Sequence, residues 1–148
     1  ILFQQNSLEW LEQNKEMDVE FDLVLIDGDH NYDTVFKELT LIQSMIRKTT
    51  LIVCDDYSGR YSEKDMFYSE REEYKDNNLA SPRVSCKKEG VRNAVIDFVK
   101  SQANVDWTID GFNDGPCFLY NQSFLEIKYS DILDGQLRDA YVDFNLKR

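Results

Sequence analysis

The stretch Phe21-Asp22-Leu23-Val24-Leu25-Ile26-Asp27-Gly28-Asp29-His30 limits the possible folds more than any other part of the chain. Its apolar run breaks off into two aspartates, a glycine and the chain's single histidine, and helical spacing begins at once. A buried strand of an α/β sheet reads this way. It delivers its polar residues to the loop at its carboxyl end, where ligands bind in open α/β sheets. A second run, Leu51-Ile52-Val53-Cys54, ends in Asp55-Asp56. As neighbouring strands, the two would bring four carboxylates and one imidazole to one crevice. Such a donor set suits a hard divalent cation with a proton acceptor beside it.

The flanking pattern supports the same architecture. Residues 1–4 read as the end of a strand already under way, with the expectation that the domain's first residues lie upstream. Asn6 can cap a helix, with Glu9 three residues on completing a capping-box pattern and Leu8 and Leu11 on its apolar side. Tyr32, Val35, Phe36, Leu39, Ile42 and Ile46 keep helical spacing and predict a helix over 31–47, with Arg47 and Lys48 at its C-terminal end, where cations suit the macrodipole. A strand over 51–55 follows. Strands and helices thus alternate, and the continuous apolar strands predict a parallel sheet covered on both faces. The polar, aromatic segment 57–88 interrupts this order as a lid or insertion, with a helix expected over 63–75 and a turn at Ser81-Pro82. A helix is predicted over 89–102 and strands over 106–109 and 116–120. The link Gly111-Phe112-Asn113-Asp114-Gly115 joins those strands as a β-hairpin. The tail from 122 offers an amphipathic helix over 131–144.

Composition narrows the class of partner. The 148 residues allow one domain or a large piece of one, and 42% hydrophobic residues can form a core. With 17 basic against 28 acidic residues and no basic run, the net charge of −11 argues against nucleic acid. No apolar run reaches the roughly 20 residues that span a bilayer, so no membrane partner is expected. Cys54, Cys86 and Cys117 are odd in number and form no CxxC pair. Cys54 and Cys117 read as small core residues, and a reducing, cytoplasmic setting is expected.

The phrases DLVLIDGDHNYDTVFKEL, LIVCDDY and EGVRNAVIDFV, in this order, resemble the class I S-adenosylmethionine-dependent methyltransferases. The likeness is to their metal-dependent, small-molecule O-methyltransferase branch with its IDGDH-Y loop. It covers about residues 1–121, leaving 122–148 as an extension. It implies an α/β, Rossmann-like, mostly parallel sheet with helices on both faces and a closing antiparallel hairpin. It further implies that Asp27, Asp55 and Asp56 hold magnesium and that His30, three residues after the first ligand, is the general base. Asn6 and Ser7 would meet the cofactor's adenine, and Asp27 and Gly28 its methionine end. The family's glycine-rich first turn and its ribose-binding acid have no counterpart here, since Gly59, Gly90, Gly111 and Gly115 lack the spacing. The resemblance therefore implies the carboxyl-terminal portion of a methyltransferase domain, an incomplete one, acting on a small hydroxyl-bearing molecule.

These residue types suit that chemistry. Methyl transfer to oxygen needs an aligned, deprotonated hydroxyl. A magnesium ion acidifies and fixes it, carboxylates are the hard donors magnesium prefers, and an imidazole can take the proton near neutral pH. Plainer readings exist. A loop histidine taken alone is usually a polar surface residue, Asp29 reads as a turn or helix N-terminal residue, and Asp55-Asp56 alone could be a turn and cap. Asp27 is harder to dismiss, because an acid directly ending an apolar strand needs compensation. The tyrosines of 57–74 fit a substrate-facing lid and ordinary packing equally. Two rival functions stand beside methyl transfer. One is a nucleotide-sugar glycosyltransferase using Asp27-Gly28-Asp29 as a metal-binding D-x-D. The other is a non-catalytic, truncated interaction module.

Overall fold

The computed structural model describes residues 3–74 and 79–121. Asn6 opens the first helix, α1 (Ser7–Asn14), its side-chain oxygen accepting from the backbone N–H groups of Leu8 and Glu9. Strand β1 (Phe21–Ile26) leads to α2 (Tyr32–Leu41), capped by the Asn31 side chain on Thr34 N–H. A short 3₁₀ turn, Ile42–Met45, passes into β2 (Ile46–Cys54). Helix α3 (Val91–Ser101) and the hairpin β3 (Trp107–Gly111) and β4 (Cys117–Asn121) complete the described chain. The strand order is β1-β2-β4-β3, with β1 parallel to β2 and the hairpin running antiparallel beside it. This is the α/β, Rossmann-like arrangement with a closing hairpin that the resemblance implies. The described sheet is mixed, since only β1 and β2 run parallel, and its three described helices share one core on one face, so the expected mostly parallel sheet with helices on both faces is corrected.

One side of the sheet carries the core. Ile52, Cys54, Cys117 and Leu119 are fully buried against Val35 and Leu39 of α2 and against Val91, Ala94, Val95 and Phe98 of α3, with Leu11 of α1 at the margin. Cys54 and Cys117 are register partners with free thiols, small core residues as expected. Helix α2 packs against both α1 and α3. On the opposite side of the sheet, β1 presents Leu23 and Leu25, 60% and 63% exposed.

Several sequence expectations shift. The helix predicted over 31–47 ends at Leu41, and Ile46, Arg47 and Lys48 belong to β2. Arg47 and Lys48 therefore serve no helix end. The reason is tertiary: the Thr50 hydroxyl donates to Phe21 C=O and accepts from Arg47 N–H, which fixes an irregular first half of β2 on β1. Phe3 and Gln4 lie in no strand. Between 63 and 74 the expected helix is a single 3₁₀ turn, Tyr68–Glu70. The tail helix expected over 131–144 falls outside the described residues.

The described residues of 57–74 and 79–90 are instead strapped down by side-chain bonds to backbone. One oxygen of Asp65 accepts from both Tyr32 N–H and Gly90 N–H at 2.8 Å, placing a carboxylate at the start of α2 and of α3. Gly90 enters α3 at φ +86°, ψ 154°, and a Cβ there would lie 2.4 Å from Ser62 O. Gly90→Ala is therefore expected to cost about 1–3 kcal/mol in urea unfolding. An unchanged midpoint would mean that the strap does not hold this geometry in solution.

Candidate active site

The parallel register builds the site. Ile26 pairs with Cys54, so the next residues, Asp27 and Asp55, leave their strands side by side, and Asp55 N–H extends the ladder to Ile26 C=O at 3.0 Å. Asp27, His30 and Asp55 each offer a ligand atom within 4.8 Å of the others. Burial, then the charge and hydrogen bond of Asp55, push the Asp27 carboxyl above the usual range. Asp27 is nonetheless an exposed residue. Burial at the end of an apolar strand comes first, as the sequence suggested, and the neighbouring acid adds to it. Two carboxylates pressed together beside an imidazole fit a hard divalent cation by the chemistry of the donors.

Asp56 does not join that group. Its backbone adopts the left-handed conformation, φ +55°, and its carboxylate lies 3.6 Å from His30 Nδ1. That is close enough for attraction and too long for a hydrogen bond. The doublet thus splits: Asp55 faces Asp27, and Asp56 faces the histidine. His30 is 7% exposed, contrary to the usual surface reading of a lone loop histidine. Its ring stacks on Tyr61 with centroids 5.5 Å apart, Tyr68 lies across from it, and Arg71 Nη2 donates to the Tyr61 hydroxyl.

Asp29 has a third role. Its two carboxylate oxygens accept from Tyr68 N–H at 2.8 Å and Ser81 N–H at 2.7 Å, and the residue is buried. It clamps segment 57–90 to the end of β1. Asp29 also stands outside the Asp27–His30–Asp55 group, which weighs against the D-x-D reading. Asn6 shares the clamp, donating to Leu79 C=O at 2.7 Å while capping α1. Under the clamp lies a cavity of about 290 Å³, walled by Ser7, Gly28 and Asp29 on one side and by Tyr68, Tyr74 and Ser81 on the other. This is near the small end of the range for small-molecule sites. Of the four residues expected at the cofactor, Ser7 and Gly28 line this cavity, whereas Asn6 and Asp27 do not. Sequence reasoning missed Glu38, buried in α2 with its Oε1 2.5 Å from Ser7 Oγ. The only signal was an acid on the apolar side of that helix, next to Leu39.

Fold and site together define an α/β protein with its chemistry at the carboxyl ends of two parallel strands, next to a small-molecule cavity. Residues 2–57 match the model of a family described as "Methyltransferase domain". The match runs from before α1 to just past Asp55-Asp56, and so takes in both strand ends and the wall containing Ser7 and Gly28. The match takes in less than half of the chain and supports a likeness to methyltransferases over that part. No curated protein and no solved structure matches the chain. Among the described residues, no helix is long and apolar enough to cross a membrane.

Proposed function

We propose that this chain carries the acceptor and metal side of an S-adenosylmethionine-dependent, magnesium-dependent O-methyltransferase acting on a small hydroxyl-bearing molecule. The observation that supports it most is the meeting of Asp27, Asp55 and His30 within 4.8 Å, one residue from the cavity wall at Gly28. In this reading Asp27 and Asp55 hold the cation, Ser7 bounds the cofactor's adenine and Gly28 lies toward its methionine end. The chain contains no G-x-G turn, so the glycine-rich half of the cofactor site would lie outside these residues. When bound, the cation acidifies and orients an acceptor hydroxyl and the cofactor supplies the methyl group.

The remaining work falls to the protein. His30 takes the hydroxyl proton on its ring. Asp56, facing Nδ1, favours the imidazolium that results, as a carboxylate beside a catalytic histidine does. Tyr61 and Tyr68 fix the ring by contact and keep bulk water from it. Asp29 and Asn6 fasten Leu79 and Ser81 at the edge of the cavity.

His30→Gln in the protein containing this chain is expected to lower kcat about 100-fold or more while S-adenosylhomocysteine affinity stays within about twofold. Calorimetric binding and a methyl-transfer assay with and without a metal chelator measure both. An unchanged kcat removes His30 from the reaction. Activity that persists in the chelator removes the cation.

A further inference from the structure

Glu38 sits beneath the cavity and touches no solvent-facing surface of it. It is 5% exposed; its Oε1 lies 2.5 Å from Ser7 Oγ, and its Oε2 has no hydrogen-bond partner among the described residues. Gly28 is the other wall residue beside it: a Cβ there would lie 3.9 Å from Glu38 Oε1. We propose that the Glu38–Ser7 pair is a proton-controlled positioning device. The proton on Glu38 decides whether the Ser7 hydroxyl donates into the cavity or only accepts. This rests on the cofactor reading above, because it assigns the cavity a ligand with an unprotonated ring nitrogen, the adenine of an S-adenosyl compound.

The logic is a count of one proton. An ionised carboxylate can only accept, so the Ser7 hydroxyl must spend its single proton on Glu38 and shows the cavity a lone pair. A protonated Glu38 donates to Ser7 Oγ instead, and the Ser7 O–H is released to donate to a ring nitrogen. Ligand binding and Glu38 protonation then favour one another, and the coupling is reciprocal.

The surroundings supply the proton at neutral pH. Burial pushes the carboxyl up to about 7, the Ser7 hydrogen bond works against this, and Asp29 adds to it. The groups facing Glu38 are the Ser7 hydroxyl from α1, the Asp29 carboxylate from the loop after β1 and the Cys54 thiol from β2. Helix α3, also packed on α2, turns its Asp97 to Tyr32 and Lys88. Among the described residues no cation faces Glu38, so ionisation there is uncompensated by them. A ligand that fills the cavity removes water from above Ser7 and holds the proton more firmly.

The test is titration calorimetry with S-adenosylhomocysteine between pH 6 and pH 8, in buffers of differing ionisation enthalpy, on the wild type and Glu38→Gln. The wild type is expected to take up protons on binding near pH 7 and to bind about fivefold or more weaker at pH 8 than at pH 6. Glu38→Gln donates its amide to Ser7 at every pH, so it should bind at pH 8 as the wild type does at pH 6, without the Glu38 proton uptake. A pH slope unaltered in Glu38→Gln overturns the device alone. Binding by neither form of the protein containing this chain at any pH overturns the cofactor reading and the device with it. A ligand-free readout keeps the two apart: carbon NMR of the Glu38 carboxyl is expected to show titration near neutrality that moves higher in Ser7→Ala. An ordinary carboxylate titration there overturns the device whatever the ligand does.

Discussion

An Asp29→Ala protein is expected to lose about 3 kcal/mol of stability or more and to be cut by protease within 57–90 well before the rest of the chain. The size follows from what is left behind. Tyr68 N–H and Ser81 N–H each lose a charged acceptor at under 3 Å, and hydrogen bonds to charged groups contribute about 1.5–3 kcal/mol apiece. Asp29 is 8% exposed, so water does not readily replace it. Asp29→Asn keeps one acceptor oxygen and should fall between. Urea unfolding with limited proteolysis measures both. Both variants should retain the divalent-cation affinity of the wild type while still folded. Loss of that affinity would return Asp29 to the metal and revive the D-x-D alternative. Asn6→Ala, which releases Leu79 C=O from the same strap, is expected to act in the same direction with a smaller effect.

Much of this site was legible because it is built from strand ends. Two apolar runs stopping at Asp27 and Asp55 needed only adjacency and a parallel register to meet, whereas the expectation that Asp56 joins them on the metal did not foresee its left-handed turn toward His30. The hairpin declared itself through its turn residues, and the α1 cap through Asn6. What was not legible depends on contacts distant in sequence. Nothing local says that Asp29 reaches residue 81, that Asp65 joins the starts of α2 and α3, or that Glu38 faces inward on Ser7. The early end of α2 belongs with these. Helical spacing continued through Ile46, but Thr50 pins the chain to Phe21 and extends it. Sequence periodicity reports which face is apolar; it does not report which backbone groups a buried carboxylate will find.

The Asp55-Asp56 doublet gives the sharpest separation of roles. Asp55→Asn should lower cation-dependent turnover on the order of a hundredfold, with the activity recovered only at much higher metal concentration, because it removes one of two paired hard donors. Asp56→Asn should leave the metal requirement in place and lower turnover through His30, whose Nδ1 loses the carboxylate facing it. In the metal-free protein the first change should also stabilise. The Asp27 carboxyl is held above its ordinary range by burial first and by Asp55 next. A carboxyl whose folded-state pKa is raised favours the native state at acid pH, and that contribution disappears as pH rises through the raised value. Neutral pH therefore leaves two repelling charges that Asp55→Asn relieves, and the wild type should recover the same relief from added cation. Thermal unfolding at pH 7 in a metal chelator reads this directly, with the Asp55→Asn midpoint above that of the wild type and the order reversed by saturating magnesium. A chelated Asp55→Asn protein that melts below the wild type, or a wild type indifferent to magnesium, would show that the two strand ends do not form a cation site.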